Sequence, residues 1–204
     1  MADPGMADPG TGAGITGAGR RSSDALSRQR SDEALTELYA AHWVALVRLG
    51  HLLLRDRSRA EEVVQDAFVA LHAKWGSLRD PDRAIAYLRR AVVNGSRSRL
   101  RHLKVVRAHA ERRPAPTVAR GADEAALDTH RREIVMGALA ELPRRQREVI
   151  ALRYYVDLSE AEIAETLGIS RGAVKSHASR GAAALRESLR HHLGDHLEPP
   201  GGSP

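Results

Sequence analysis

The stretch SEAEIAETLGISRGAVKSHASR, residues 159–180, decides how the rest of the chain is read. Ser159 stands three residues before Glu162, the spacing of a capping box, in which the two side chains satisfy backbone N–H groups that lack an intrahelical acceptor. Ile163, Ala164 and Leu167 then share one side of a short helix. Gly168 follows where the chain must turn sharply, a position that suits a residue without a Cβ. Ser170 is placed to cap a second helix whose inner side carries Val174, Ala178, Leu185 and Leu189. Two helices so joined form a helix-turn-helix. From Ser170 onward the second helix presents Arg171, Lys175, Ser176, His177 and Arg180 outward. A helix fits the major groove of DNA, where such side chains meet base edges and phosphates. The alternative is an αα-hairpin with a solvated basic face. The coincidence of turn glycine, caps and basic display favours DNA.

Outward from this motif, the block 128–193 reads as helices broken at Leu142-Pro143, Asp157-Leu158 and Leu167-Gly168-Ile169. Residues 194–204, ending in HLEPPGGSP, read as a disordered tail. Before the block, residues 105–127 include ERRPAPTVARGADEA and read as a flexible linker. A second block, 31–104, is also helical throughout. Leu35, Leu38, Tyr39, His42, Leu46, Leu49 and Leu53 mark one helix face. After a break at Arg55-Asp56-Arg57, Ser58 and Glu61 have capping-box spacing, and Ala60, Val63, Val64, Ala67, Phe68, Leu71 and Trp75 give the next buried stripe. Gly76 ends that helix, and Asp80-Pro81 opens a third. Residues 1–30, in which MADPG occurs twice, read as a disordered extension. The repeat suggests a duplicated or alternative start at Met6. Strand-like alternation is missing, so the fold class is all-α: two small helical domains joined by a flexible linker.

Two further faces carry charge. In the third helix of the first block Arg90, Asn94, Arg97 and Arg101 fall on one stripe, and between residues 79 and 107 nine Arg and Lys stand against Asp80 and Asp82. That excess suits a phosphate backbone. Tyr87 and Trp75 lie near it and can stack on unpaired bases or serve as ordinary core. The helix before it has an acidic outer face, Glu61, Glu62, Gln65 and Asp66. Alone this is a solvated surface; beside two nucleic-acid faces it suits a protein partner.

Composition agrees. The chain has 204 residues, a net charge of +6 and no cysteine. The charge suits a polyanion, and the absence of cysteine excludes disulfides and thiolate metal sites. No apolar run is long enough to span a membrane and no signal-peptide stretch occurs, so a cytoplasmic location without membrane insertion is expected. A Gly-rich phosphate loop, an HExxH motif and a nucleophile elbow are all missing, so neither catalytic residues nor cofactors are expected. His191, His192 and His196 read as part of a polar tail, and no metal site is expected.

Taken together the three faces resemble a bacterial RNA polymerase sigma factor of the sigma-70 family, in its small extracytoplasmic-function (ECF) class. AEEVVQDAFVALHAKW resembles region 2.2, YLRRAVVNGSRSRLRH regions 2.3 and 2.4, and LPRRQREVIALRYYVDLSEAEIAETLGISRGAVKSHASRGAAALR region 4. The VKSH-x-SR run is similar to an actinobacterial, sigma-E-like branch. The resemblance implies that Glu61, Glu62, Gln65 and Asp66 dock on the β′ clamp helices of core RNA polymerase, with Phe68 packed inside. It implies that Tyr87, Arg90, Asn94, Arg97 and Arg101 melt and hold the −10 element. The helix-turn-helix, with Ser170, Arg171, Lys175, Ser176, His177 and Arg180, would read the −35 element and bind the β flap. An anti-sigma factor is a further implied partner. Tyr87 stands where the family usually has Trp, Ser98 where an acid is common, and His177 where Arg is frequent. The rival reading is an autonomous helix-turn-helix regulator, which has no need of the first block.

Overall fold

The computed structural model describes residues 16–75, 81–109 and 124–194. Seven α-helices occupy the described residues: α1 (Thr16–Leu54), α2 (Arg57–Lys74), α3 (Pro81–His109), α4 (Glu124–Glu141), α5 (Arg144–Ile150), α6 (Glu160–Leu167) and α7 (Arg171–Gly194). No strand occurs among them, as the sequence patterns require. The contacts divide the chain into residues 1–40 and residues 41–204. In the first unit α1 is stitched by Thr36, whose hydroxyl donates to Asp32 O at 2.7 Å. Tyr39, expected on the inner face, is instead exposed.

In the second unit α2 buries the whole expected stripe: Ala60, Val63, Val64, Ala67, Phe68, Leu71 and Trp75. Burying each large side chain is worth about 1.5–3 kcal/mol, well above the few tenths of a kcal/mol that a β-branched residue costs a helix. Two adjacent valines are therefore no obstacle. Trp75 is core here, not an exposed stacking platform, and Phe68 lies 6.3 Å from Trp43, ring centre to ring centre. α3 meets α2 with Ala84, Leu88, Val92 and Val93, all fully buried. Gly95 allows the close approach, because a Cβ there would sit 2.7 Å from Val63 Cγ1.

The start of α2 differs from expectation. Asp56, not Ser58, is the cap, its carboxylate accepting from Arg59 N at 3.0 Å. The helix thus begins before Ser58, and Glu61 turns to Arg57 at 2.9 Å instead of reaching back. Three of the expected boundaries also move. α1 already runs from Thr16 through part of the stretch read as disordered, and α3 continues to His109 and α4 starts at Glu124, inside the stretch read as linker. The remainder of that linker, the Gly76 and Asp80 signals and residues 195–204 lie outside the described residues.

In the second block α7 is packed by α4, α5 and α6. α5 passes into a π-helical turn, Ala151–Tyr155, before the chain reverses at Asp157. Leu139, Leu142 and Ile150 form a cluster that receives Leu185 of α7 and Leu52 of α1. Arg147 clamps this junction: its guanidinium donates to Ala140 O and Leu142 O, carbonyls left open at the end of α4, and to Leu53 O of α1. Burial and the nearby Arg55 hold the Arg147 pKa below the usual arginine value. The two helical blocks are thus in direct contact. Among the described residues no helix is long and apolar enough to cross a membrane.

Candidate nucleic-acid interface

The helix-turn-helix forms as its sequence dictates. Ser159 Oγ accepts from Glu162 N, and the Glu162 carboxylate accepts from Ser159 N at 2.9 Å, so the capping box is complete. The Ser159 hydroxyl also donates to Glu162 Oε2 at 2.6 Å, and this bond first, then the one from Ser159 N, holds the Glu162 carboxyl below its ordinary pKa. Gly168 has φ 64°, the left-handed conformation that ends α6. Ser170 then caps α7 by accepting from Ala173 N at 3.1 Å. Val174 and Ala178 are buried, as expected for the inner side.

The outer side of α7 is less uniform than the sequence suggests. Arg171 and Ser176 are exposed. Lys175 is exposed too, with its ammonium 3.8 Å from Glu160. Arg180 folds back on the helix, donating to Ser176 Oγ at 2.9 Å. His177 departs from expectation. It is half-buried, with Nδ1 enclosed and without a hydrogen-bond partner, because its helical position turns the ring toward the shoulder of α7.

The basic stripe of α3 forms as well, but the chain covers part of it. Arg97 makes a two-pronged contact with Glu148 of α5, Nε to Oε1 and Nη2 to Oε2, both at 2.8 Å. The Glu148 side chain is 2% exposed and that of Arg97 15%. Arg145 at 3.1 Å and Arg144 at 3.6 Å also face this carboxylate. Arg90 reaches Glu165 of α6 at 3.0 Å, in an exposed pair. Asn94 Oδ1 accepts from Arg97, and Arg101 donates to Ser98 Oγ. Tyr87 is half-buried, with the Lys74 ammonium 5.3 Å from its ring centre. Glu148 and Glu165 are absent from the sequence reading. The available signal for Glu148 was its place three and four residues after Arg145 and Arg144, at the start of the apolar run VIAL.

On α2 the acidic face is outward as expected, with Glu62, Gln65 and Asp66 exposed and Glu61 half-buried. Part of its charge is answered by α3: Arg99 lies 2.8 Å from Glu62 and 4.0 Å from Asp66. Beside it an open groove of about 550 Å³ runs between α2 and α3, lined by Val63, Ala67, Ala91 and His102 among others.

Known proteins place these faces in context. The family model "Sigma-70 region 2" matches residues 38–105, which hold α2 and most of α3, and "Sigma-70, region 4" matches residues 132–185, which hold the helix-turn-helix. The RNA polymerase sigma-E factor of Streptomyces avermitilis is 34% identical over 145 residues, covering 71% of this chain and 79% of that one. The ECF RNA polymerase sigma factor SigM of Mycobacterium tuberculosis is 33% identical over 156 residues, covering 76% and 77%. Among solved structures, the sigma factor RpoE bound to the anti-sigma factor NepR from Bartonella quintana superposes with a TM-score of 0.64 at 26% identity, covering 76% of this chain and 96% of that one. CnrH bound to the cytosolic domain of CnrY superposes with a TM-score of 0.55 at 28% identity, covering 84% and 98%.

Proposed function

We infer the working parts of this chain from its family: it belongs to the sigma-70 family of RNA polymerase sigma factors, among the ECF members, and directs polymerase to promoters. In this reading the exposed face of α2, Glu61, Glu62, Gln65 and Asp66, docks on the β′ clamp helices of core polymerase. The α3 stripe, with Tyr87, Arg90, Asn94, Arg97 and Arg101, holds the melted −10 strand through phosphate contacts and stacking. α7 reads the −35 duplex while its half of the chain contacts the β flap. The reacting groups of transcription belong to polymerase, and the chain acts in the cytoplasm. Because RpoE and CnrH were each solved with a bound protein, an anti-sigma factor is a reasonable partner here too.

The observation that carries the reading is the pairing of two parts on one chain: a capped helix-turn-helix with Arg171, Lys175 and Ser176 outward, and a separate block with an acidic docking face beside a basic stripe. An autonomous regulator needs only the first. Charge reversal tests the second. Glu62→Arg with Asp66→Arg turns attraction for a basic partner into repulsion and also frees Arg99. Affinity for core polymerase should fall while helical content by circular dichroism stays. Unchanged affinity with an intact fold would remove the docking role.

A further inference from the structure

Where α1 meets α3 and the π-helical turn, the chain holds a cavity of about 200 Å³. Helical spacing builds its walls. His42, Ala45, Leu46 and Leu49 recur at three- and four-residue steps on α1, and Ile85 and Arg89 stand four apart on α3. One side is apolar, with Leu46 and Leu49 buried and Ile85 half-buried. The other side carries donors. His42 and Arg89 are both half-buried, and the Tyr155 hydroxyl stands beside them, donating to Ala45 O over a long 3.4 Å.

Tight interiors leave few voids larger than a water molecule, and an apolar void of about 150 Å³ takes up benzene. This cavity is therefore of ligand size. Two of its donors also lack partners. A guanidinium taken half out of water normally finds an acceptor, yet among the described residues neither Arg89 nor His42 has a hydrogen-bond or ion-pair partner. Glu162 senses Arg89 only as the last of the influences on its carboxyl, which is committed to Ser159. Arg89 thus keeps a free planar fork that matches a carboxylate and has no acceptor of its own. We propose that the cavity binds a compact monocarboxylate with an apolar body, its carboxylate taken by Arg89 and His42 and its body laid on Leu46, Leu49 and Ile85. An inorganic anion would leave the apolar wall uncovered, and a neutral hydrocarbon would leave the guanidinium unpaired. Tyr155 comes from the block that carries the helix-turn-helix, so the site is complete only while the two blocks touch, and its occupant stabilises that arrangement by mass action.

Benzoate is the probe that fits both walls. Calorimetric titration of the full-length chain should show saturable binding at a single site, and the unfolding temperature should rise with benzoate concentration. Benzamide has the same shape without the charge and should bind about tenfold more weakly. Arg89→Gln should weaken benzoate by about tenfold, and Arg89→Lys, which keeps the charge, should lose less. Ala45→Phe places a ring in the cavity from an exposed position and should abolish binding while helical content by circular dichroism stays. If Arg89→Gln fails to fold, Ala45→Phe and the benzamide comparison decide the matter by themselves. Absence of saturable benzoate binding overturns the proposal, because solvent then fills the cavity. Binding that benzamide matches overturns it too, as does binding that survives both Arg89→Gln and Ala45→Phe, since the acid then sits elsewhere.

Discussion

α3 and α7 carry the same signal in sequence, basic residues spaced along one helix face, yet the structure treats them differently. On α7 Arg171 and Lys175 stand in solvent at the end of a capped turn. On α3 Arg97 is sealed against a buried glutamate and Arg90 is met by a second acid. The lesson is about what periodicity can report. Spacing tells which residues share a face, but not whether another part of the chain lies on that face. For α3 the covering groups are 51 and 75 residues away in sequence.

The largest expected effect sharpens this difference. Glu148→Ala leaves Arg97, Arg144 and Arg145 facing one another without their shared acid, and should cost about 3 kcal/mol of stability in urea unfolding. Arg180→Ala, on the open face, should change stability by less than about 0.5 kcal/mol. Similar values for the two would erase the contrast between the faces.

Within α7 the proposed roles divide. Arg171 lies in the first turn, the part of a recognition helix that enters the groove, and can donate twice to a guanine. Arg171→Ala should therefore cost about 1–3 kcal/mol of binding and relax preference at one base pair. Arg180→Ala should weaken all −35 variants alike and reduce the salt slope by about one ion. Affinities for single-base variants of the −35 duplex at several salt concentrations separate the two. A reversed pattern would exchange the assignments.

The capping box sets a smaller effect. Ser159→Ala should cost about 1 kcal/mol. It also carries a pH dependence whose sign follows from the lowered Glu162 pKa. A carboxyl depressed in the folded state stabilises fully above its unfolded pKa, and that stability is lost as pH falls through the folded pKa. Glu162→Gln should flatten the acid limb of the stability curve relative to the parent chain, as followed by urea unfolding across the acid range.

The smallest effect is expected at the exposed pair. A double-mutant cycle on Arg90 and Glu165 should give a coupling below about 0.5 kcal/mol. A large coupling would make this pair, and not Arg97–Glu148, the fastening of the two blocks.

Much of the fold was legible because local rules and burial agree. The seven-residue stripe of α2 and the Ser159, Gly168 and Ser170 punctuation of the helix-turn-helix all stand where sequence places them. The cap of α2 was misread because Asp56 and Ser58 compete at adjacent sites, and the aspartate starts the helix sooner. The extension of α3 to His109 was missed because it makes no buried stripe: Val105 and Val106 stand exposed there. His177 was read from spacing alone, which does not resolve the shoulder of a helix from its crest. Glu148 was overlooked because a glutamate among arginines looks like surface; only a contact from the other block reveals it as buried.

The central claim is that this chain works through polymerase, with one block for docking and melting and the other for −35 recognition. Reconstituted transcription tests it most directly: purified core polymerase, the full chain and a set of promoter fragments, with start sites mapped and unpaired thymines probed by permanganate. The account predicts that core initiates at defined sites only when the chain is present, and that Arg90→Ala, Asn94→Ala and Arg97→Ala together impair opening more than initial binding. If the chain binds duplex DNA but neither joins core polymerase nor changes where it starts, it is an autonomous regulator and the account is contradicted.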